Sequence, residues 1–316
     1  MDLIHFLNFA LLFVFLLPIC HGESSNANSS SSRARRRNKR LSHSVFNEKS
    51  LYLARVMVSI RTRTARTYYG DNHFCGGAII APNFVLTSAH CIVTKRRLFL
   101  PTRMLLVVAG TPNRLKYIER RSFHTPVVQI IAPDNFTIFN TNDIVLLQTK
   151  LLFPRDNFYI EIIDLPSQPA KVGFYYDLGG WGRLYRGGPL SSNIGHISVP
   201  VIPPELCQEL LHVTKRDMLC TFDHKADSAK SACIGDLGNP LVLNRTIYGV
   251  VSSTLGCSSP HLPSIFTDVY KNVDWIMRNM LHGSRNGADT YISESKTLLL
   301  LQVFTHYFCK LYSNFR

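Results

Sequence analysis

Residues 86–91 read Leu86-Thr87-Ser88-Ala89-His90-Cys91, and Cys75-Gly76-Gly77 stands shortly ahead of them. Two later stretches also set polar residues against short apolar runs. They are Asn142-Asp143-Ile144-Val145-Leu146-Leu147 and Cys233-Ile234-Gly235-Asp236-Leu237-Gly238-Asn239-Pro240. Around them, from about residue 45 to 275, apolar runs alternate with turn residues: VMVSI, GAII, NFVLTSA, MLLVVAG, VVQIIA, DIVLLQT, HISVPVI, PLVLN, TIYGVVSS and SIFTDV. Each run has strand length, is rich in β-branched and aromatic residues, and is bounded by Gly, Pro, Asn or Asp. Many short strands so spaced predict an all-β sandwich or barrel. Near the end of this region, YKNVDWIMRNML puts Val273, Ile276, Met277 and Met280 at helical spacing, which predicts a terminal amphipathic helix.

The chain has 316 residues, 46% hydrophobic and 18% charged, a composition that can bury a sizeable core and excludes a disordered chain. Lys and Arg total 35 against 21 Asp and Glu, a formal charge of +14. Such an excess favours acidic partners (sulfated glycans, acidic proteins, anionic membranes or nucleic acid) or is simply a soluble basic surface.

Both ends differ from the middle. Residues 4–19, IHFLNFALLFVFLLPI, are nearly all apolar and are followed by Cys20 and Gly22, which resembles a secretory signal peptide cut after Gly22. The n-region carries Asp2 and no Lys or Arg, so a retained signal anchor is the alternative. Residues 23–32, ESSNANSSSS, are too polar to fold, and the basic run RARRRNKR ends at Arg40. That run reads as a proprotein-convertase site, a polyanion-binding segment or a solvated tail. After residue 282 comes a loop-like stretch and then TLLLLQVFTHYF, too short to span a bilayer. An extra docking helix or a partner-binding segment fits it, and membrane attachment is not expected.

Secretion permits disulfides. Loss of the leader removes Cys20 and leaves seven cysteines, Cys75, Cys91, Cys207, Cys220, Cys233, Cys257 and Cys309. An odd number leaves at least one thiol free or bridged to another chain. N-glycosylation sequons stand at Asn28, Asn135 and Asn244.

In order and spacing, the segments around His90, Asp143 and Leu237 resemble the His, Asp and Ser motifs of the trypsin and chymotrypsin family of serine proteases. Gly180-Trp181-Gly182, Cys207, Cys220-Thr221, Val251-Ser252 and Phe266-Thr267-Asp268-Val269 extend the resemblance over about residues 45–281. With the composition of the two ends, it divides the chain into a signal peptide (1–22), a Ser/Arg-rich low-complexity segment (23–44), a trypsin-like domain (45–281) and a C-terminal extension (282–316). The fold implied is all-β: two packed six-stranded antiparallel β-barrels with a C-terminal helix. The implied disulfides are Cys75–Cys91, Cys207–Cys220 and Cys233–Cys257, each worth roughly 3 kcal/mol in the chain-entropy model. Cys309 has no partner in the family pattern.

In an active member a Ser hydroxyl attacks the scissile carbonyl, His takes its proton, and Asp orients the His. By position His90 and Asp143 are base and orienter, but the nucleophile position holds Leu237, which has no lone pair to donate. Loss of the nucleophile costs roughly 10⁶ in turnover. Asp236 and Cys233 do not repair it. Gly235 and Asp236 mark the oxyanion region. Asn239 replaces a family glycine and is expected to intrude beside the site. Ser231 stands at the pocket floor where trypsin-like members carry Asp. Thr254 and Ser264 stand at wall positions that are usually Gly, and Ser253 where an aromatic is usual. The family's Ile-Val-Gly-Gly activation segment is missing: Leu41-Ser42-His43-Ser44-Val45-Phe46 contains no glycine, so activation by cleavage is not expected.

The resemblance is therefore to non-catalytic serine protease homologues, of the insect type without a clip domain, since no cysteine lies between 21 and 74. Three functions stay open. The first is an extracellular binding or regulatory protein that holds a protease, an inhibitor or another secreted protein. The second is an adhesive protein attached to acidic glycans. The third is a weak endopeptidase with an unconventional nucleophile. No cofactor, metal or nucleic acid is expected.

Overall fold

The computed structural model describes residues 48–94, 96, 98–137, 142–212, 217–223, 231–255, 257, 259 and 261–281. All of these fall within the compact unit Asn38–Arg316. The leader, the Ser/Arg-rich segment, Arg40, the sequon at Asn28, the 282–316 extension and Cys309 lie outside the described residues.

The first six strands form a closed antiparallel barrel. They are β1 (Met57–Thr62), β2 (His73–Ala81), β3 (Phe84–Thr87), β4 (Leu105–Ala109), β5 (Phe123–Ile131) and β6 (Val145–Thr149), in the order β1-β2-β3-β6-β5-β4. Pairing of β1 with β4, from Ser59 opposite Val108 to Thr62 opposite Leu105, closes the ring. Its interior is filled by side chains such as Val58, Ile60, Ile79, Val85, Val107 and Leu147.

The second six strands are β7 (Tyr175–Gly180), β8 (Gly195–Pro200), β9 (Met218–Thr221), β10 (Pro240–Leu243), β11 (Thr246–Ser253) and β12 (Ser264–Asp268). They form a sheet in the order β8-β7-β10-β11-β12-β9. In β8 burial alternates along the strand, with Ile197 and Val199 inward, as the two-residue period of a strand requires. The sheet curls until its edges meet at one bridge, Val201 with Thr221, flanked by Ile202 N–H to Cys220 O at 3.0 Å and Phe222 N–H to Pro200 O at 3.2 Å. One barrel is thus closed along full strands and the other is a half-barrel touching at its seam.

A third apolar cluster lies between the sheets and the helices. It joins Leu86 and Leu146 of the first barrel to Val242 and Val250 of the second, with Leu53, Trp181 and Ile276. Helix α1 (Glu48–Val56) contributes Leu53 and Val56 to it. The run pattern did not anticipate this helix. Glu48 in its first turn and Arg55 in its last complement the helix dipole. The strand pattern also passed over β7, whose residues Tyr175-Tyr176-Asp177-Leu178-Gly179-Gly180 form no continuous apolar run, and the four-residue β9. Helix α2 (Pro204–Leu211) starts on a proline and buries Cys207.

The terminal helix spans 273–281. Ile276 is fully buried and Trp275 and Met280 pack beside it, but Met277 is 45% exposed. Met277 therefore does not belong to the inward face assigned to it.

All three implied disulfides are formed: Cys75–Cys91, Cys207–Cys220 and Cys233–Cys257, with Cα separations of 6.0, 6.1 and 4.7 Å.

Candidate active site

His90 sits in a single 3-10 turn, Ala89–Ile92, that follows β3 and is tied to β2 by Cys75–Cys91. Asp143, just before β6, is fully buried. Its Oδ1 accepts the backbone N–H of His90 at 2.9 Å, and the Ser88 hydroxyl lies 2.8 Å from both carboxylate oxygens. His90 Nδ1 lies 2.9 Å from Asp143 Oδ2. The imidazole also meets the edge of Phe136, with centroids 5.6 Å apart. The Thr267 hydroxyl of β12 donates to the Asp143 carbonyl at 2.8 Å, which fastens the acid to the second sheet. His90 and Asp143 are thus brought together across 53 residues of sequence.

Leu237 lies in the tight turns that follow Cys233. Its carbonyl accepts Gly76 N–H at 2.8 Å, and the next residue, Gly238, donates to Val251 O at 2.9 Å. The half-buried leucine side chain packs against the interior clusters of both barrels. Position 237 therefore presents an apolar side chain packed on both interiors.

Beneath this turn Asp236 is completely buried. It accepts Gly182 N–H at 2.8 Å, Cys233 N–H at 2.9 Å and Asn239 Nδ2–H at 3.0 Å. Burial pushes its carboxyl up to about 7, against the opposing pull of these three donors. The fit leaves no room: a Cβ on Gly182 would stand 2.1 Å from Asp236 Oδ2. Asn239 corrects the sequence reading. Its side chain has no exposed surface and is directed inward to Asp236, so it does not intrude on the cleft.

A buried relay reaches the same loop, and no motif in the sequence pointed to it. Arg61 Nε donates to Ser59 Oγ at 2.9 Å, and Ser59 Oγ lies 2.8 Å from His73 Nδ1. His73 Nε2 lies 3.1 Å from the Gly235 carbonyl. A carbonyl only accepts, so Nε2 carries the proton and Nδ1 accepts from the serine. Burial lowers the His73 pKa to about 3, which keeps the ring neutral, and it packs edge-on to Trp181 at 5.7 Å. Gly235 has φ +97°, a conformation that favours glycine. The relay fixes the carbonyl that such a turn would otherwise leave free to rotate.

Of the residues assigned to the pocket, Ser264 opens β12 and its hydroxyl accepts Ala232 N–H at 3.1 Å. Ser231 and Thr254 are half-buried on the two segments flanking it. The sequons at Asn135 and Asn244 are both exposed, the first next to Phe136 and the second in the turn between β10 and β11. Among the described residues no cluster of His, Cys, Asp and Glu has the makings of a metal site, and no helix is long and apolar enough to cross a membrane.

Two six-stranded antiparallel sheets, with His and Asp held by the first and the facing turn by the second, define a trypsin-like domain. Residues 46–276 match the trypsin family, and the chain belongs to it. It is 29% identical over 237 residues to trypsin eta of Drosophila melanogaster, covering 72% of this chain and 85% of that one. It is 33% identical over 214 residues to chymotrypsin-2 of Vespa crabro, covering 66% of this chain and 90% of that one. Among solved structures it resembles human heparin binding protein, with a TM-score of 0.61 and 27% identity over 73% of this chain and 92% of that one.

Proposed function

We propose that this trypsin-family protein is secreted, does not cleave peptides, and acts by binding another protein in an extracellular fluid. One observation carries the reading: the position that we read as the nucleophile is Leu237, an apolar side chain packed on both interiors, while His90 Nδ1 and Asp143 Oδ2 meet at 2.9 Å. Catalysis by nucleophilic attack needs a lone pair at that position, and leucine has none. Secretion draws support from the apolar leader and from three formed disulfides, which persist in oxidising compartments.

The test has two parts. The purified protein is exposed to a fluorophosphonate probe and to peptide and ester substrates. It is then used to capture partners from the fluid in which it occurs, with non-reducing mass spectrometry of the recovered species. No labelling, no hydrolysis and one stoichiometric protein partner are expected. Labelling or steady hydrolysis would establish an unconventional nucleophile and overturn the reading.

A second reading, attachment to sulfated glycans, is favoured by one surface. Arg63, Arg66 and Arg103 are exposed, and Arg63 N–H donates to Met104 O at 2.9 Å, which brings Arg63 beside Arg103. The carboxylate of nearby Asp71 is taken up by the backbone N–H groups of Arg66, Thr67 and Tyr68. The similar human protein is described as heparin binding. Retention on heparin that is lost with added salt, and weakened in Arg63→Ala/Arg103→Ala, would support this reading.

A further inference from the structure

A cavity of about 530 Å³ opens against α1, the segments after β4 and before β5, and the connection between the two sheets. It shares no lining residue with the cleft of His90, Asp143 and Leu237. Its size falls in the range of small-molecule sites. Leu51, Tyr52, Ala54, Pro112, Phe158 and Tyr159 make up its apolar wall. Leu51 and Phe158 are 49% and 70% exposed, so the wall offers apolar surface to an occupant.

Three guanidinium groups line the same cavity, each over one of its aromatic rings. Arg121 lies 4.1 Å from the Tyr159 centroid, Arg55 4.5 Å from Phe158 and Arg245 5.1 Å from Tyr52. Arg55 and Arg245 share one carboxylate, Glu161, with Arg55 at 2.8 Å. Arg121 has no carboxylate partner among the described residues. Glu48 also lines the cavity, and Arg121 is the one of its three guanidinium groups with no carboxylate at ion-pair distance among the described residues. Two buried polar atoms of the lining, Tyr52 Oη and Arg55 Nε, have no hydrogen-bond partner among the described residues. Buried donors are normally satisfied, and these two are free to meet an acceptor that enters the cavity.

An apolar wall, a cation without an ion-pair partner among the described residues and two spare donors call for one chemistry. We propose that this cavity binds a small amphiphilic acid, its apolar body on Leu51, Phe158 and Tyr159 and its carboxylate at Arg121. The basic run at 33–40 does not suit the place, because its arginines would meet those of the cavity.

Calorimetric titration of the full-length protein with decanoate, and separately with methyl decanoate, tests the proposal. One decanoate should bind per chain, at least tenfold more tightly than the uncharged ester. Arg121→Gln should weaken decanoate about tenfold and leave the ester unchanged, because Arg121 is an exposed side chain and its loss spares the wall. Phe158→Ala should weaken both. Thermal melting of each variant should match the parent and so exclude misfolding as the cause. Absence of saturable binding, equal affinity for acid and ester, or decanoate binding indifferent to Arg121→Gln would each overturn it.

Discussion

Asn239 Nδ2 donates to Asp236 Oδ1 at 3.0 Å, and neither residue has any surface open to solvent. The pair is wedged against glycines: a Cβ on Gly76 would stand 1.5 Å from Asn239 Oδ1, and one on Gly180 2.3 Å from Asn239 Nδ2. A buried carboxyl is here satisfied by a side-chain amide and two backbone N–H groups, with no cation beside it among the described residues. The turn that carries Leu237 is thereby held from below.

Removing this amide should loosen that turn. Asn239→Ala takes one of three donors from a buried acid, which costs about 1–3 kcal/mol. The urea midpoint should fall with the slope of the transition unchanged. An unchanged midpoint would mean that the two backbone donors suffice.

Asp236 should also make stability depend on pH. Its carboxyl titrates at about 7 when folded and near 3.8 when free. Between these values the folded chain keeps a proton that the unfolded chain has released, so stability falls as pH rises from about 4 to 7 and then levels. The difference between the parent and Asp236→Asn, measured by urea unfolding across this range, isolates the effect.

His73 should act in the opposite direction. Its ring is held neutral with a pKa of about 3, against 6.5 in the unfolded chain. The unfolded chain therefore takes up the extra proton first, and stability is lost as pH falls from about 6.5 toward 3. Comparing the parent with His73→Gln over that window should reveal a slope of opposite sign to that of Asp236.

Ser88 is the hydroxyl that holds the Asp143 carboxylate, at 2.8 Å from both oxygens. Ser88→Ala should cost about 1–3 kcal/mol, because a buried acid loses a donor and gains nothing. Urea unfolding at pH 7 measures it. A loss below about 0.5 kcal/mol would show that the N–H and imidazole of His90 hold the acid alone.

Leu237→Ser places a hydroxyl at the position that we propose for the nucleophile. The variant should become reactive toward a fluorophosphonate, and the reactivity should vanish in Leu237→Ser/His90→Ala. It should also lose about 1–3 kcal/mol of stability, since the leucine packs on both interior clusters. Failure of the single variant to react would mean that position 237 alone does not decide reactivity.

Much of the fold was legible in local composition. Ten apolar runs with β-branched residues between turn formers became β1–β6, β8 and β10–β12, because strand periodicity is written over a few neighbouring residues. The cysteine pairs and the meeting of His90 with Asp143 followed from family resemblance. What local pattern could not supply is where a side chain points once distant segments meet. Asn239 reads as an obstruction in the chain and is an inward donor in the molecule. His73 contacts Gly235 across 162 residues, and Arg61 reaches them through Ser59. The arginine-lined cavity draws on α1, the flanks of β4 and β5, the link between the sheets and the turn after β10. Strand identity is settled by short-range preference and so belongs to the sequence. Burial, and with it the pKa of Asp236 and the neutrality of His73, depends on which remote atoms exclude water, and only the tertiary structure decides that.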